Sequence, residues 1–243
     1  MDSISKCETC GGKRTEKTFF IGKNLKTILV DSCNCLKIKR EQEENLSIRV
    51  EKRRMLKARY KKALFTRKQR GMRLKNLTCE YKLKAENFVK NFSKRQKGLF
   101  FIGKTGNGKT TLANSIGKEL LLKGYSVLTM NFAEYLNKLQ QTYSNKSEIT
   151  FDELLEQWTN KTDLLIIDDF GRESYTDKRL ENTFLFFDKL YNNCTTYIIT
   201  ANPENMAKLK NIPEFNALLD RLAENLHKVK FEKGSFRRLL EVC

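Results

Sequence analysis

Residues 103–110 read Gly-Lys-Thr-Gly-Asn-Gly-Lys-Thr and match the pattern G-x-x-x-x-G-K-[ST] at every fixed position. An apolar run at 99–102 precedes them and a helix-forming stretch at 109–123 follows, which is the strand–turn–helix context that the pattern requires. Glycines let the backbone curl so that successive N–H groups face an anion, and the helix directs its positive end at the same point. The segment predicts a phosphate-binding loop. A plain glycine-rich turn explains it less well, because such a turn needs no Lys-Thr pair at its end.

The residues of this loop have distinct expected roles. Lys109 is expected to reach the β- and γ-phosphates of ATP, and the hydroxyl of Thr110 is expected to bind Mg²⁺. Backbone N–H groups of the loop and of the first helical turn are expected to surround the phosphates. The residues expected to contact ATP are Gly103, Thr105, Gly106, Asn107, Gly108, Lys109, Thr110 and Thr111.

Two acidic residues follow an apolar run at 164–167, which reads Leu-Leu-Ile-Ile. This pattern places Asp168 and Asp169 at the C-terminal mouth of a buried strand. Asp168 is expected to hold the Mg²⁺ shell, and Asp169 to orient or deprotonate the attacking water. Taken alone, the segment is explained equally well by an Asp-rich turn. Together with the upstream phosphate loop, it predicts an ATPase.

A third apolar run, at 197–200, ends at Ala201-Asn202-Pro203. A polar side chain just past a buried strand can reach the γ-phosphate or the attacking water, which makes Asn202 a candidate catalytic residue. Asn-Pro is also a common start of a turn. The local sequence leaves both interpretations of Asn202 open.

The distribution of strands and helices divides the chain into three regions. From about residue 76 onward, short apolar strands alternate with helical segments, which predicts an α/β P-loop core with a parallel sheet covered on both faces. The expected domains are a small zinc-binding β module at 1–36, a basic helical linker at 37–75 and the ATPase domain at 76–243.

Positive charge is concentrated at the N-terminal end of the sequence. The chain has a net charge of +18, and residues 1–75 hold 22 Lys/Arg against 8 Asp/Glu. This asymmetry favours a nucleic-acid partner over a composition that serves solubility alone. Because residues 37–75 show no apolar stripe at helical spacing, we expect them to contact a partner or DNA instead of the core. The absence of a signal peptide and of long apolar runs predicts a cytoplasmic protein without membrane contact.

Four cysteines lie in two close pairs near the start of the sequence, Cys7 with Cys10 and Cys33 with Cys35. Thiolates suit zinc, which takes four ligands in a tetrahedral arrangement. A segment this short folds poorly on a hydrophobic core alone, which favours a structural metal over ordinary free cysteines. We therefore expect one Zn²⁺ held by these four residues.

The chain resembles the AAA+ ATPases of the DnaC/DnaI helicase-loader group, to which the IstB transposition helpers are related. The resemblance rests on the phosphate loop, the run LLIIDDFG at 164–171, and the segments 200–202, 220–222 and 235–237. It implies that Asn202 is the sensor-1 residue and that Arg221 is an arginine finger acting on a neighbouring subunit's nucleotide. It also implies that Arg237 is a sensor-2 residue, with Arg238 as the substitute.

The same resemblance implies a function. It implies a protein that loads a hexameric replicative helicase onto single-stranded DNA at replication initiation, using ATP and self-assembly into a ring or helical oligomer. A transposition-helper ATPase that binds duplex DNA and a transposase is one alternative. A zinc-containing adaptor that uses nucleotide as a switch is another, because Asp169 stands where many AAA+ proteins have the longer Glu.

Overall fold

The chain divides into two units, Met1–Met55 and Leu56–Cys243. Its structure is a computed structural model, which describes residues 6–7, 10–12, 14–21, 24–31, 34–77, 80–142, 150–159 and 162–232.

The first unit contains a β-hairpin and most of one long helix. Strand β1 spans Arg14–Ile21 and pairs antiparallel with β2, which spans Asn24–Asp31. These strands lie in the segment 1–36, for which the sequence predicts a small β module. Helix α1 begins at Cys35 and ends at Lys62, so that it continues into the second unit. It carries eleven Lys/Arg against four Glu, and apolar side chains such as Leu46 are well exposed.

A five-stranded sheet with parallel neighbours forms the centre of the second unit, in the order β4-β5-β6-β3-β7. This confirms the predicted α/β fold with a parallel sheet. Because all strands run in the same direction, their carboxyl ends meet at one edge, where ligands bind in such folds. The strands are β3 Gly98–Gly103, β4 Val127–Asn131, β5 Leu164–Phe170, β6 Thr196–Ala201 and β7 Leu226–Phe231.

Helices cover both faces of the sheet. Leu164 and Ile166 of β5 belong to one apolar cluster, whereas Leu165 and Ile167 belong to a second one on the other face. None of the described helices combines the length and apolar character that crossing a bilayer requires. The further helices are α2 Arg67–Gly71, α3 Lys82–Lys90, α4 Lys109–Lys123, α5 Phe132–Gln141, α6 Phe151–Thr159, α7 Asp177–Asn192, α8 Pro203–Lys210 and α9 Pro213–Asn225.

The expectation that residues 37–75 stay off the core is wrong from the last turns of α1 onward, where Leu56 and Tyr60 pack against an apolar cluster of the second unit. Ala63, Phe65 and Leu74 are buried in the apolar cluster that also contains one face of α4. The carbonyl of Ala63 accepts a hydrogen bond from the N–H of Thr129 on edge strand β4, at 3.0 Å. Leu56, Tyr60 and Ala63 recur at helical spacing, but the charged residues around them mask this short stripe. Phe65 lies in a loop and Leu74 in a short 3₁₀ helix, where no helical spacing reveals burial.

Candidate active site

The phosphate loop joins β3 to α4 and is fixed against the end of β7. Gly106 and Gly108 have φ values of 88° and 86°, which side chains other than glycine rarely adopt. At Gly103, a Cβ atom would lie 2.6 Å from the Cβ of Phe231, so only glycine fits this close approach. The amide of Asn107 donates to the carbonyl of Phe231 at 3.1 Å. The curled conformation is therefore held in place by its neighbouring strand.

The first turn of α4 offers donors to an anion. Its N-cap is Gly108, and within the described residues no side chain caps this end. The first turn carries no acidic residue, while Thr110 and the partly buried Thr111 lie on it. Uncapped N–H groups and the positive end of the helix macrodipole favour a bound anion.

Lys109 is a buried cation at the centre of the loop, with only 6% of its surface exposed. Its Nζ donates to the carbonyls of Gly103 at 2.6 Å and Lys104 at 2.8 Å. Burial lowers the pKa of Lys109, although the nearby carboxylates of Asp169 and Asp168 counteract this. A buried ammonium group that, among the described residues, hydrogen-bonds to loop carbonyls alone fits a site for phosphate oxygens.

Asp168 lies opposite the loop at the end of β5, where two hydroxyl groups bind it. Its Oδ1 accepts hydrogen bonds from Thr110 at 2.8 Å and from Thr200 at 2.6 Å. Burial raises the pKa of Asp168, and these two hydrogen bonds offset part of the rise. A hydroxyl and a carboxylate side by side supply the hard oxygen ligands that Mg²⁺ takes. The donor set fits the metal expected from the sequence.

Asp169 lies in an irregular part of β5, where the pairing with β6 shifts register between Ile167 and Phe170. Its φ is 57°, in the left-handed region, and its N–H donates to the hydroxyl of Thr200 at 3.0 Å. The carboxylate is 39% exposed and lies 3.9 Å from Arg172. This places an accessible carboxylate next to Asp168, as expected for a residue that acts on water.

Asn202 makes a contact that helps to decide between its two interpretations. It is the N-cap of α8, with Pro203 following, but its side chain makes no capping hydrogen bond. Instead its Nδ2 donates to the Thr105 hydroxyl of the phosphate loop at 3.3 Å. The structure thus brings Asn202 to the candidate site, which favours a role there over turn chemistry alone.

Of the expected arginines, Arg221 is described and is not part of this cluster. Arg221 lies on α9 and forms an exposed ion pair with Asp188 of α7. Among the described residues, no hydrogen bond joins Arg221 to the phosphate loop. Arg237 and its substitute Arg238 lie outside the described residues.

The first unit holds a separate cluster of thiols. The sulfur atoms of Cys7, Cys10 and Cys35 all lie within 4.8 Å of one another, close enough to hold one metal ion. Gly11 has a φ of 70°, and its N–H donates to the carbonyl of Cys7 at 2.8 Å, which forms a tight turn between two of the thiols. Cys33, the fourth expected ligand, lies outside the described residues.

Two residues of the site escaped the sequence analysis. Thr200 bonds to both acidic residues, but a threonine at the end of a buried strand reads as an ordinary β-former. Glu173 lies in the loop after β5, where its Oε2 accepts from the N–H of Gly171 and the hydroxyl of Tyr175, both at 2.9 Å. Burial raises the pKa of Glu173, which no pattern in the sequence indicates.

Replacing Asp168 by Asn is expected to stabilise the chain at pH 7 when nucleotide and Mg²⁺ are absent, by about 1 kcal/mol. Burial raises the pKa of Asp168 in the folded chain above its value in the unfolded chain. Protonated Asp168 therefore stabilises the folded chain at low pH, and this contribution is lost as the pH rises through the pKa of the folded chain. Asparagine keeps an oxygen for both hydroxyls and has no charge to desolvate. Urea unfolding followed through Trp158, the only tryptophan, measures the difference.

As the pH falls toward 4, the advantage of Asp168→Asn over the parent should shrink, because Asp168 becomes protonated in the parent. Asp220→Asn, at an exposed position on α9, is the matched control and should change stability by less than about 0.5 kcal/mol. A destabilised Asp168→Asn variant at pH 7 would contradict this account of the site.

The amino-acid sequence is similar to that of proteins named replicative helicase loaders. Replicative helicase loader DnaC of Escherichia coli strain K12 is 34% identical over 128 residues, which are 52% of this chain and 51% of that protein. The chain thus spans at most about half the length of the first curated relatives it matches.

Solved structures share the fold. The crystal structure of the DnaC helicase loader aligns with a TM-score of 0.59 at 22% identity, covering 69% of this chain and all of that one. The crystal structure of DnaI gives a TM-score of 0.58 at 22% identity, covering 70% and 95%. The P-loop core therefore shares its fold with these structures. The family model described as IstB-like ATP binding protein matches residues 29–241, and the chain belongs to this family.

Proposed function

We propose that this chain is a cytoplasmic, ATP-dependent loader that places a hexameric replicative helicase onto single-stranded DNA at replication initiation. The observation that carries the proposal is the likeness over 128 residues to the E. coli protein named replicative helicase loader DnaC. The phosphate loop and its facing carboxylates supply the ATP-driven part. The positive charge of residues 1–75 supports a DNA partner, because phosphate contacts dominate affinity for nucleic acids.

Lys109 is proposed to exchange its partners when ATP binds. Its ammonium group leaves the carbonyls of Gly103 and Lys104 and donates to the β- and γ-phosphates. The exchange costs little, since each lost hydrogen bond to a neutral carbonyl is replaced by one to a negatively charged phosphate oxygen. The N–H groups of the loop and of the first turn of α4 hold the remaining phosphate oxygens.

The residues at the ends of β5 and β6 are proposed to serve hydrolysis. Asp168, together with Thr110 of α4, would hold Mg²⁺, which would supply positive charge to stabilise the phosphates of ATP. Asp169 orients the attacking water and accepts its proton. The Nδ2 group of Asn202, already directed at the phosphate loop, donates to the γ-phosphate or to that water.

Arg221 is proposed to act on the nucleotide of a neighbouring copy in a ring or helical oligomer. Its exposure and its distance in sequence from the phosphate loop suit a partner-facing residue. The ion pair with Asp188 is exposed on both sides, so it stabilises the chain by at most about 1 kcal/mol. Exchanging this partner for a triphosphate is therefore favourable. Arg237 is proposed to contact the nucleotide from within its own chain.

The first unit is proposed to bind the helicase. We assign Zn²⁺ to Cys7, Cys10, Cys33 and Cys35, because the three described thiols already lie close enough for one tetrahedral ion. Exposed apolar residues alternate with basic ones along α1, which suits a protein surface that is both apolar and acidic.

Two other functions remain testable alternatives. The match to the IstB-like family supports a transposition-helper ATPase as one alternative. A transposition helper has no evident need for the thiol cluster. The carboxylate of Asp169 is shorter than that of glutamate and reaches less far toward water, which supports a nucleotide switch with little hydrolysis as the other alternative. The first predicts a transposase as partner, and the second predicts ATP binding without DNA-stimulated turnover.

We expect the immobilised chain to retain a purified hexameric replicative helicase from the same host and to load it onto circular single-stranded DNA when ATP is present. Lys109→Ala should retain the helicase equally well, because the first unit makes this contact, but should fail to load it. Co-sedimentation of helicase with the DNA circle measures loading. Retention of a transposase but not of the helicase would reject the proposal in favour of the transposition helper.

Freshly purified protein is expected to contain one zinc per chain by elemental analysis. Cys35→Ser should lose most of this zinc, because serine is a poor ligand for zinc in a thiolate site. Cys194→Ser, which alters an exposed cysteine of the second unit, is the control and should retain it. Metal-free parent protein with reactive Cys7 and Cys10 thiols would rule out the zinc assignment.

Arg221→Ala is expected to keep nucleotide affinity but to lose ATP turnover by about 10³-fold, because the finger stabilises transition-state charge in a neighbour. ATP turnover in a mixture of two variants is the sharper measurement. Arg221→Ala combined with Lys109→Ala should regain part of the turnover, since one protein supplies an intact pocket and the other an intact finger. Absence of rescue in mixtures that demonstrably co-assemble would show that Arg221 acts within its own chain or not at all.

A further inference from the structure

The end of β5 and the start of the loop after it are held in an unfavourable backbone conformation. Asp169 has a φ of 57° and Gly171 a φ of 85°, so two of three consecutive residues are left-handed. For a residue other than glycine this region costs about 1 kcal/mol or more, and it persists only where the surroundings enforce it. The direction of the Asp169 carboxylate depends on this backbone.

Two side chains hold the loop from either side. Before the strained segment, the hydroxyl of Thr200 accepts from the N–H of Asp169 at 3.0 Å. After it, the Oε2 of Glu173 accepts from the N–H of Gly171 at 2.9 Å. The ion pair between Arg172 and Asp169 is long and exposed, at 3.9 Å, and therefore restrains the loop weakly.

Glu173 is in turn fixed by an anchored tyrosine. The hydroxyl of Tyr175 donates to the same Oε2 at 2.9 Å. The ring of Tyr175 packs edge-on against the buried Phe215 of α9, with ring centroids 4.9 Å apart. The other oxygen of Glu173, Oε1, is buried and has no hydrogen-bond partner among the described residues. Only one oxygen of this carboxylate thus serves the loop.

We propose that Glu173, held by Tyr175, is a positioning residue for ATP hydrolysis, because it fixes the Gly171 N–H and thereby the direction of the Asp169 carboxylate. This inference rests on the proposed function, in which Asp169 acts on the attacking water. A carboxylate misplaced by a fraction of an ångström loses catalytic efficiency without loss of substrate binding.

The test compares kcat, nucleotide Kd and thermal midpoint for three variants. Glu173→Ala removes the acceptor and should lower kcat by about 10- to 100-fold with Kd within about twofold of the parent. Glu173→Gln should restore kcat to within about threefold, because its amide oxygen accepts the bonds from Gly171 and Tyr175 and its nitrogen replaces an oxygen to which the described residues offer no partner. Tyr175→Phe should fall between them. Glu181→Ala, at an exposed glutamate of α7, is the control and should match the parent.

Each outcome decides the matter. A Glu173→Gln variant as slow as Glu173→Ala would make Glu173 a proton-transferring group and overturn the positioning role. A Glu173→Ala variant with parental kcat would show that the loop needs no such support. Should Glu173→Ala fail to fold, Tyr175→Phe with parental kcat would overturn the role equally. A parent without any turnover would reject the proposed hydrolysis together with this role, whereas parental turnover that these variants leave intact would reject this role alone.

Discussion

The hydrogen bond from the Thr110 hydroxyl to the Asp168 carboxylate, 2.8 Å long, connects the two halves of the candidate site. The strands that carry these halves, β3 and β5, are not neighbours, because β6 lies between them in the sheet. The end of β6 therefore has to bridge them. The hydroxyl of Thr200 donates a hydrogen bond to Asp168, and the amide of Asn202 donates one to the hydroxyl of Thr105 in the phosphate loop. The parallel strand order creates this convergence, since it brings three carboxyl ends to one edge.

Several groups of the candidate site destabilise the folded chain when no ligand is bound. Burial lowers the pKa of Lys109 and raises that of Asp168, so each group is disfavoured in its charged form. The left-handed backbone of Asp169 adds strain nearby. A bound phosphate and a divalent cation would offset these penalties, because each presents the opposite charge to the group it meets. Unfavourable local interactions at a functional site are common in proteins.

Much of this site could be anticipated from the sequence, because its elements are local. The phosphate loop and the acidic pair are each continuous segments whose flanking strands and helices have clear patterns. Periodicity cannot predict the burial of Phe65 and Leu74, because they lie in a loop and a very short helix and periodicity detects only longer helix and strand faces. Thr200 and Glu173 were missed because their importance depends on partners far away in the sequence or on backbone conformation. Arg237 and Cys33 lie outside the described residues, so their roles rest on the sequence alone.

The central claim is that Lys109, Thr110 and Asp168 form the binding site of Mg-ATP. An experimental structure of the chain with Mg²⁺ and a non-hydrolysable ATP analogue tests it most directly. The account predicts that the Lys109 ammonium leaves the carbonyls of Gly103 and Lys104 for the phosphates, and that the Thr110 hydroxyl turns from Asp168 to the metal. A nucleotide bound elsewhere, or a Lys109 that keeps its loop carbonyls beside bound phosphates, would contradict it.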